Sequence, residues 1–128
     1  MTERGSVSLI VAATMAVLVV VVLTIVALAG AATASERAIA AAEAAALAAA
    51  PATFPPLGGD RAPAEHARAL AVANGAVLLR CDCPTDASYR GRTVVVTVRY
   101  ETTVPVLGAV NLERTAAAEF EPVELLRN

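Results

Sequence analysis

Val7 to Gly30 reads VSLIVAATMAVLVVVVLTIVALAG, and no charged residue occurs between Gly5 and Ser35. At about 1.5 Å per residue, a helix over this stretch is roughly 36 Å long, enough to cross a hydrocarbon core of about 30 Å with some tilt. A Val-rich run is a poor helix former in water. In lipid, however, the backbone has no outside hydrogen-bond partner, so it must satisfy its own N–H and C=O groups and become helical. A single transmembrane helix over residues 7–30 is therefore expected, preceded by a short tail at 1–6.

The chain does not break where the apolar run ends. ASERAIAAAEAAALAAA carries it to Ala50 without Gly or Pro, and alanine is the best helix former. One rod from Val7 to Ala50 is expected, on the order of 65 Å long, with 31–50 as an Ala-rich extension outside the lipid. Small side chains let another backbone approach closely. Ala41, Ala45, Ala48 and Ala49 are the candidate helix-packing residues.

Arg4 and the amino terminus face Arg37 across the span, a slight positive excess on the short N-terminal side that predicts N-in, C-out. Ala32-Thr33-Ala34 before Ser35 is also an A-x-A pattern of the kind signal peptidase cuts. A secretory h-region is about 7–15 residues, much shorter than this run, so retention as an anchor is the expectation. Cleavage after Ala34 would instead yield an exported envelope binding protein.

Composition narrows the function classes. Hydrophobic residues make up 57% and charged residues 17%, the net charge is −2, and all ten basic residues are arginine. With no Trp, two Tyr and two Phe (Phe54, Tyr89, Tyr100, Phe120), the chain lacks the basic excess and aromatic platforms of a nucleic-acid surface. There is no phosphate-binding loop, dinucleotide fingerprint, H-E-x-x-H or G-x-S-x-G. Glu101, Glu113, Glu119 and Glu121 read as strand-face or rim charges, and His66 as a solvated side chain. No enzyme, cofactor, metal or small-molecule substrate is expected.

Beyond Ala50, Pro51, Pro55, Pro56, Gly58 and Gly59 predict a linker over 51–61. A small ectodomain over 62–121 follows, then a loose tail at 122–128. Pro63 suits the first turn of a short helix and Asn74-Gly75 its end, with Ala67, Leu70, Ala71 and Asn74 on one face. Three strands are expected: 76–80, 93–103 and 111–120. In the second, Val94, Val96, Val98 and Tyr100 alternate with polar residues, the mark of a half-buried strand. Large apolar side chains are few after Pro51, so this segment needs another surface to bury its sheet. The Ala-rich half of the long helix offers one. The fold class is thus α+β: a long N-terminal helix reaching out of the membrane, packed against a short helix and a small antiparallel sheet of about three strands.

Cys81-Asp82-Cys83 precedes Pro84. Cysteines at i and i+2 of an extended strand have Cα atoms near the limit for bridging, and a turn can shorten the distance. A local disulfide is permitted outside the cytoplasm and closes too small a loop to stabilise much. An intermolecular bridge, a redox pair and a metal half-site remain alternatives.

Glu3-Arg4-Gly5-Ser6, the Val/Ala-rich span, Arg37 and the run Ala41-Ala42-Glu43-Ala44-Ala45-Ala46-Leu47-Ala48-Ala49-Ala50 together resemble a TadE-like protein. The likeness continues through Val72-Ala73-Asn74-Gly75-Ala76 and the Val-rich strand. The resemblance implies a pseudopilin or minor-pilin component of a tight-adherence (Tad/Flp) pilus or related secretion apparatus. It would be held in the cell membrane by its N-terminal helix and would pack with other pilin-like or apparatus proteins. It also implies Gly5 and Ser6 as candidate processing residues. Prepilins commonly carry Glu five residues after the processing Gly, and Ile10 stands there instead. A filament subunit and a membrane-resident assembly or tip factor both fit that departure.

Overall fold

The computed structural model describes residues Glu3–Arg127, with side chains from Val7 to Arg127. Helix α1 runs unbroken over Glu3–Ala52, about 75 Å at the helical rise. It is followed by α2 (Pro55–Gly58), α3 (Pro63–Ala73) and strands β1 (Ala76–Asp82), β2 (Arg92–Val104) and β3 (Gly108–Phe120). A 3-10 turn at Pro122–Leu126 closes the described chain. The strands form one antiparallel sheet in the order β1-β2-β3. This is the α+β architecture expected from the sequence.

Helices α1 and α3 form one layer and the sheet the other. α1 packs on α3 and under β2 and β3, while α3 packs under β1. The core between them is made of very small and β-branched residues. Ala38, Ala41, Ala45 and Ala49 of α1 and Ala67 and Ala71 of α3 meet Val94, Val96 and Val98, all with no exposed surface. Fully burying one such Val stabilises by about 1.5–3 kcal/mol. The alanines contribute little area themselves; they let the valines and the second helix come close.

The short-helix face differs from expectation at two of its four positions. Pro63, Ala67 and Ala71 are buried, whereas Leu70 is 38% exposed and Asn74 is exposed. Two helices approaching through alanines leave no room for a Leu in the seam, so the i, i+4, i+8 row of small residues turns inward. The amide of Asn74 donates to Leu70 O at 2.8 Å, and Gly75, at φ +74°, turns the chain into β1.

The region read as a linker is a packed corner. α1 continues through Pro51 to Ala52: the fixed φ of proline is itself helical, and the helix ends one residue after the position where proline loses its N–H bond and its ring crowds the preceding turn. Thr53 then ends the helix, its Oγ1 donating to Ala50 O at 2.6 Å. Ala52, Thr53, Phe54 and Gly58 are buried. The tail is anchored at its first residue only, with Pro122 fully buried and Val123 to Arg127 exposed.

β1 extends to Asp82, two residues beyond expectation, because of a bulge. Leu78 pairs with Val98 and Arg80 with Thr97, leaving Leu79 unpaired. Without that extra residue the alternation from Ala76 and Leu78 would turn Arg80 and Asp82 toward the helices. With it, Cys81 lies opposite Val96 and both Cys81 and Cys83 pack against the core. β3 begins at Gly108, three residues early, because the β2–β3 ladder is regular to its tip, where Val104 pairs with Gly108.

Candidate functional site

α1 is divided along its length. Every residue from Val7 to Val26 is exposed, and none of the most apolar window is buried. This helix is long and apolar enough to cross a membrane. Both threonine hydroxyls of this exposed stretch are satisfied locally: Thr14 donates to Val11 O at 2.9 Å and Thr24 to Val20 O at 2.8 Å, so neither presents a bare polar group. Gly5 and Ser6 lie in its first turns, and only their backbone is described.

The distal half is divided around its axis. Of the candidate packing residues, Ala41, Ala45 and Ala49 are fully buried under this chain's own sheet and α3, and Ala48 is half-buried. They are consumed within the molecule. The face left open carries Glu36, Ala40, Glu43 and Leu47, spaced by four, three and four residues and therefore in one row. Sequence reasoning missed this row, because only the docked sheet shows which side of an almost uniform Ala helix is covered.

β2 runs back along α1 from its outer end toward the apolar half. At the outer end, Arg92 ties the corner together. Its guanidinium donates to Thr53 O at 3.0 Å and also to the carbonyls of Asp86 and Ser88. It lies 5.9 Å from the centroid of the Phe54 ring, which in turn packs on Tyr89 at 5.3 Å. The Asp86 N–H donates to Thr53 O at 3.1 Å. The Ser88 hydroxyl and backbone N–H both donate to the Asp86 carboxylate, and these bonds hold that carboxyl below its ordinary range.

At the inner end, Val104 and Pro105 lie over Gly30 of α1, where a Cβ would come within 2.7 Å of Val104 Cγ1. A crevice of about 200 Å³ beside this contact is lined by Thr33, Arg37, Thr102 and Thr103. Farther down, Val106 and Leu107 face Val20, Leu23, Thr24, Ala27 and Leu28 across an apolar groove. A lone Gly inside a helical run was the signal in the sequence for this close approach.

Cys81 and Cys83 are joined in a disulfide, with Cα atoms 5.4 Å apart. The bulge at Leu79 places both on the core side of the strand, half-buried. Glu113 pairs with Arg99 across β2 and β3 at 2.8 Å, which raises the Arg99 pKa through the hydrogen bond and the nearby charge. Thr97 and Thr115 share a hydrogen bond at 2.9 Å on the same outer face. Glu101, Glu119 and Glu121 are exposed and His66 is half-buried. Among the described residues, no group of three or more His, Cys, Asp or Glu side chains is arranged to hold a metal ion.

The geometry is therefore that of a long rod, apolar along its inner half, with a small sheet fastened to its outer half. No family model, curated protein or solved structure matches the chain.

Proposed function

We propose that the protein is a non-enzymatic, membrane-anchored pseudopilin-like component of a tight-adherence pilus or related secretion apparatus. Its N-terminus lies in the cytoplasm and its α+β domain outside. The observation that carries this is the division of α1. One continuous helix has an inner stretch, Val7–Val26, that is uncharged and exposed throughout, and an outer half covered on one side by its own domain and open on the other, where Glu36, Ala40, Glu43 and Leu47 form a row. An inner half of that kind suits lipid or the helices of neighbouring subunits, and the open row offers a second contact with pilin-like partners. The resemblance to TadE-like proteins supplies the identity of the apparatus.

Retention of the helix is supported by Ala34, which is 4% exposed and joins the core in mid-helix. A cut after Ala34 would remove Gly30, the seat of Val104. Deletion of the gene should abolish piliation or secretion, and the protein should co-extract with other pilin-like proteins; normal pili and secretion in the deletion strain would overturn the proposal. The intact mass of the native protein separates the exported alternative. Membrane-bound material that is full-length or cut after Gly5 supports the anchor, whereas a product starting at Ser35 in the culture fluid supports an exported binding protein.

A further inference from the structure

We propose that the β2–β3 hairpin tip, Pro105-Val106-Leu107, inserts into the outer leaflet of the bilayer beside α1, giving the ectodomain a second membrane contact; this rests on the membrane-spanning reading above. The partner is a lipid surface.

Turns that face water are built mainly from Gly, Pro, Asn, Asp and Ser, and Pro105 and Gly108 fit that pattern while the two residues between them do not. This one presents Val106 and Leu107 at 64% and 57% exposure. Val106 also adopts φ +73°, a left-handed conformation that is rare for a β-branched residue and that Gly or Asn would hold with less strain. From Thr102 to Leu112 the hairpin carries no charge. Neither turn chemistry nor solubility calls for an apolar tip here.

Its height along α1 identifies the occupant. A hydrocarbon core of about 30 Å takes about 20 helical residues, so one centred on Val7–Gly30 ends near Leu28. Val106 and Leu107 share their groove with Val20, Leu23 and Leu28, which sets the tip several ångströms inside that boundary. Immediately above come Thr33, Arg37, Thr102 and Thr103 around the small crevice. That is the order of an interfacial element: apolar side chains at the depth of the acyl chains, hydroxyls and a guanidinium at the depth of the headgroups. The close fit of Val104 over Gly30 holds the hairpin against the helix, so the tip is presented at a fixed depth.

The test uses the full chain, which contains no tryptophan, reconstituted in phosphatidylcholine and phosphatidylglycerol vesicles with lipids brominated at shallow or deep acyl positions. Three single-tryptophan variants are compared: Leu107→Trp at the tip, Leu18→Trp in the span and Leu57→Trp at the outer end of the rod. Leu107 and Leu57 are exposed, so the larger ring is accommodated, and circular dichroism checks each fold. The proposal expects Leu107→Trp to show blue-shifted emission lost most strongly to shallow bromines, Leu18→Trp to be quenched by deep bromines, and Leu57→Trp to emit as in water. Water-like, unquenched emission from Leu107→Trp with Leu18→Trp quenched would overturn the insertion and leave the span intact. Blue-shifted but unquenched emission from the tip would overturn it in favour of a protein cover. Failure of both Leu107→Trp and Leu18→Trp to be quenched would remove the spanning reading and the insertion together.

Discussion

Gly30 and Val104 touch so closely that a single added carbon on the helix would meet the valine methyl at 2.7 Å. This contact fastens the inner end of the sheet to α1, as Arg92 fastens its outer end. Gly30→Ala should destabilise the domain by about 1–3 kcal/mol through overpacking. The double variant with Val104→Ala should be less destabilised than the sum of the two single changes, because removing the methyl groups makes room for the new carbon. Thermal unfolding of the four proteins in one detergent measures the coupling, and strict additivity would show that the contact is relieved some other way.

The alanine seam is expected to be intolerant of size. Ala45→Leu places three more carbons where no surface is exposed and should cost about 1–3 kcal/mol or separate α3 and the sheet from α1. Leu47→Ala on the open row should stay within about 0.5 kcal/mol. The same pair read for piliation should reverse in part: Leu47→Ala leaves the fold intact yet weakens assembly if the open row contacts a neighbour.

Arg92→Lys should not be a conservative change. A lysine ammonium cannot reproduce the planar fork that serves Thr53 O, Asp86 O and Ser88 O and lies against Phe54. The expected loss is about 1–3 kcal/mol, the cost of leaving a carbonyl without its donor. Hydrogen exchange should locate it, with the Asp86 amide losing protection while the β2–β3 ladder keeps it.

Asp86 gives a pH dependence of known sign. Its carboxyl is held below its ordinary range by the two Ser88 donors, so its contribution is present above the unfolded value of about 3.9 and is lost as pH falls through the folded value. Asp86→Asn should therefore be less stable than the parent near neutral pH, and the difference should shrink on acidification. A gap that widens at low pH would contradict the assignment.

The disulfide closes one of the shortest possible loops, so Cys81→Ser with Cys83→Ser should cost about 1.5 kcal/mol or less and retain the fold. Non-reducing electrophoresis of the parent should show a monomer, since both sulfurs are used within the chain. Unchanged piliation in the double variant would set aside a thiol-exchange role.

Consecutive residues determine the long apolar helix through the charge-free run from Gly5 to Ser35, its continuation along the alanine stretch, and the strand that alternates at Val94, Val96, Val98 and Tyr100. These are local signals, because hydropathy and side-chain period act on neighbours three, four or two positions apart. The bulge at Leu79, the identity of Val104 as the partner of Gly30, the inward turn of Ala67 and Ala71 in place of Leu70, and the Arg92 knot were not legible in that way. Each depends on a partner far along the chain; Arg92 reaches Thr53 across 39 positions and Arg114 reaches Ser35 across 79. An alanine helix is nearly the same on every side, so its covered and open faces exist only once the sheet has docked.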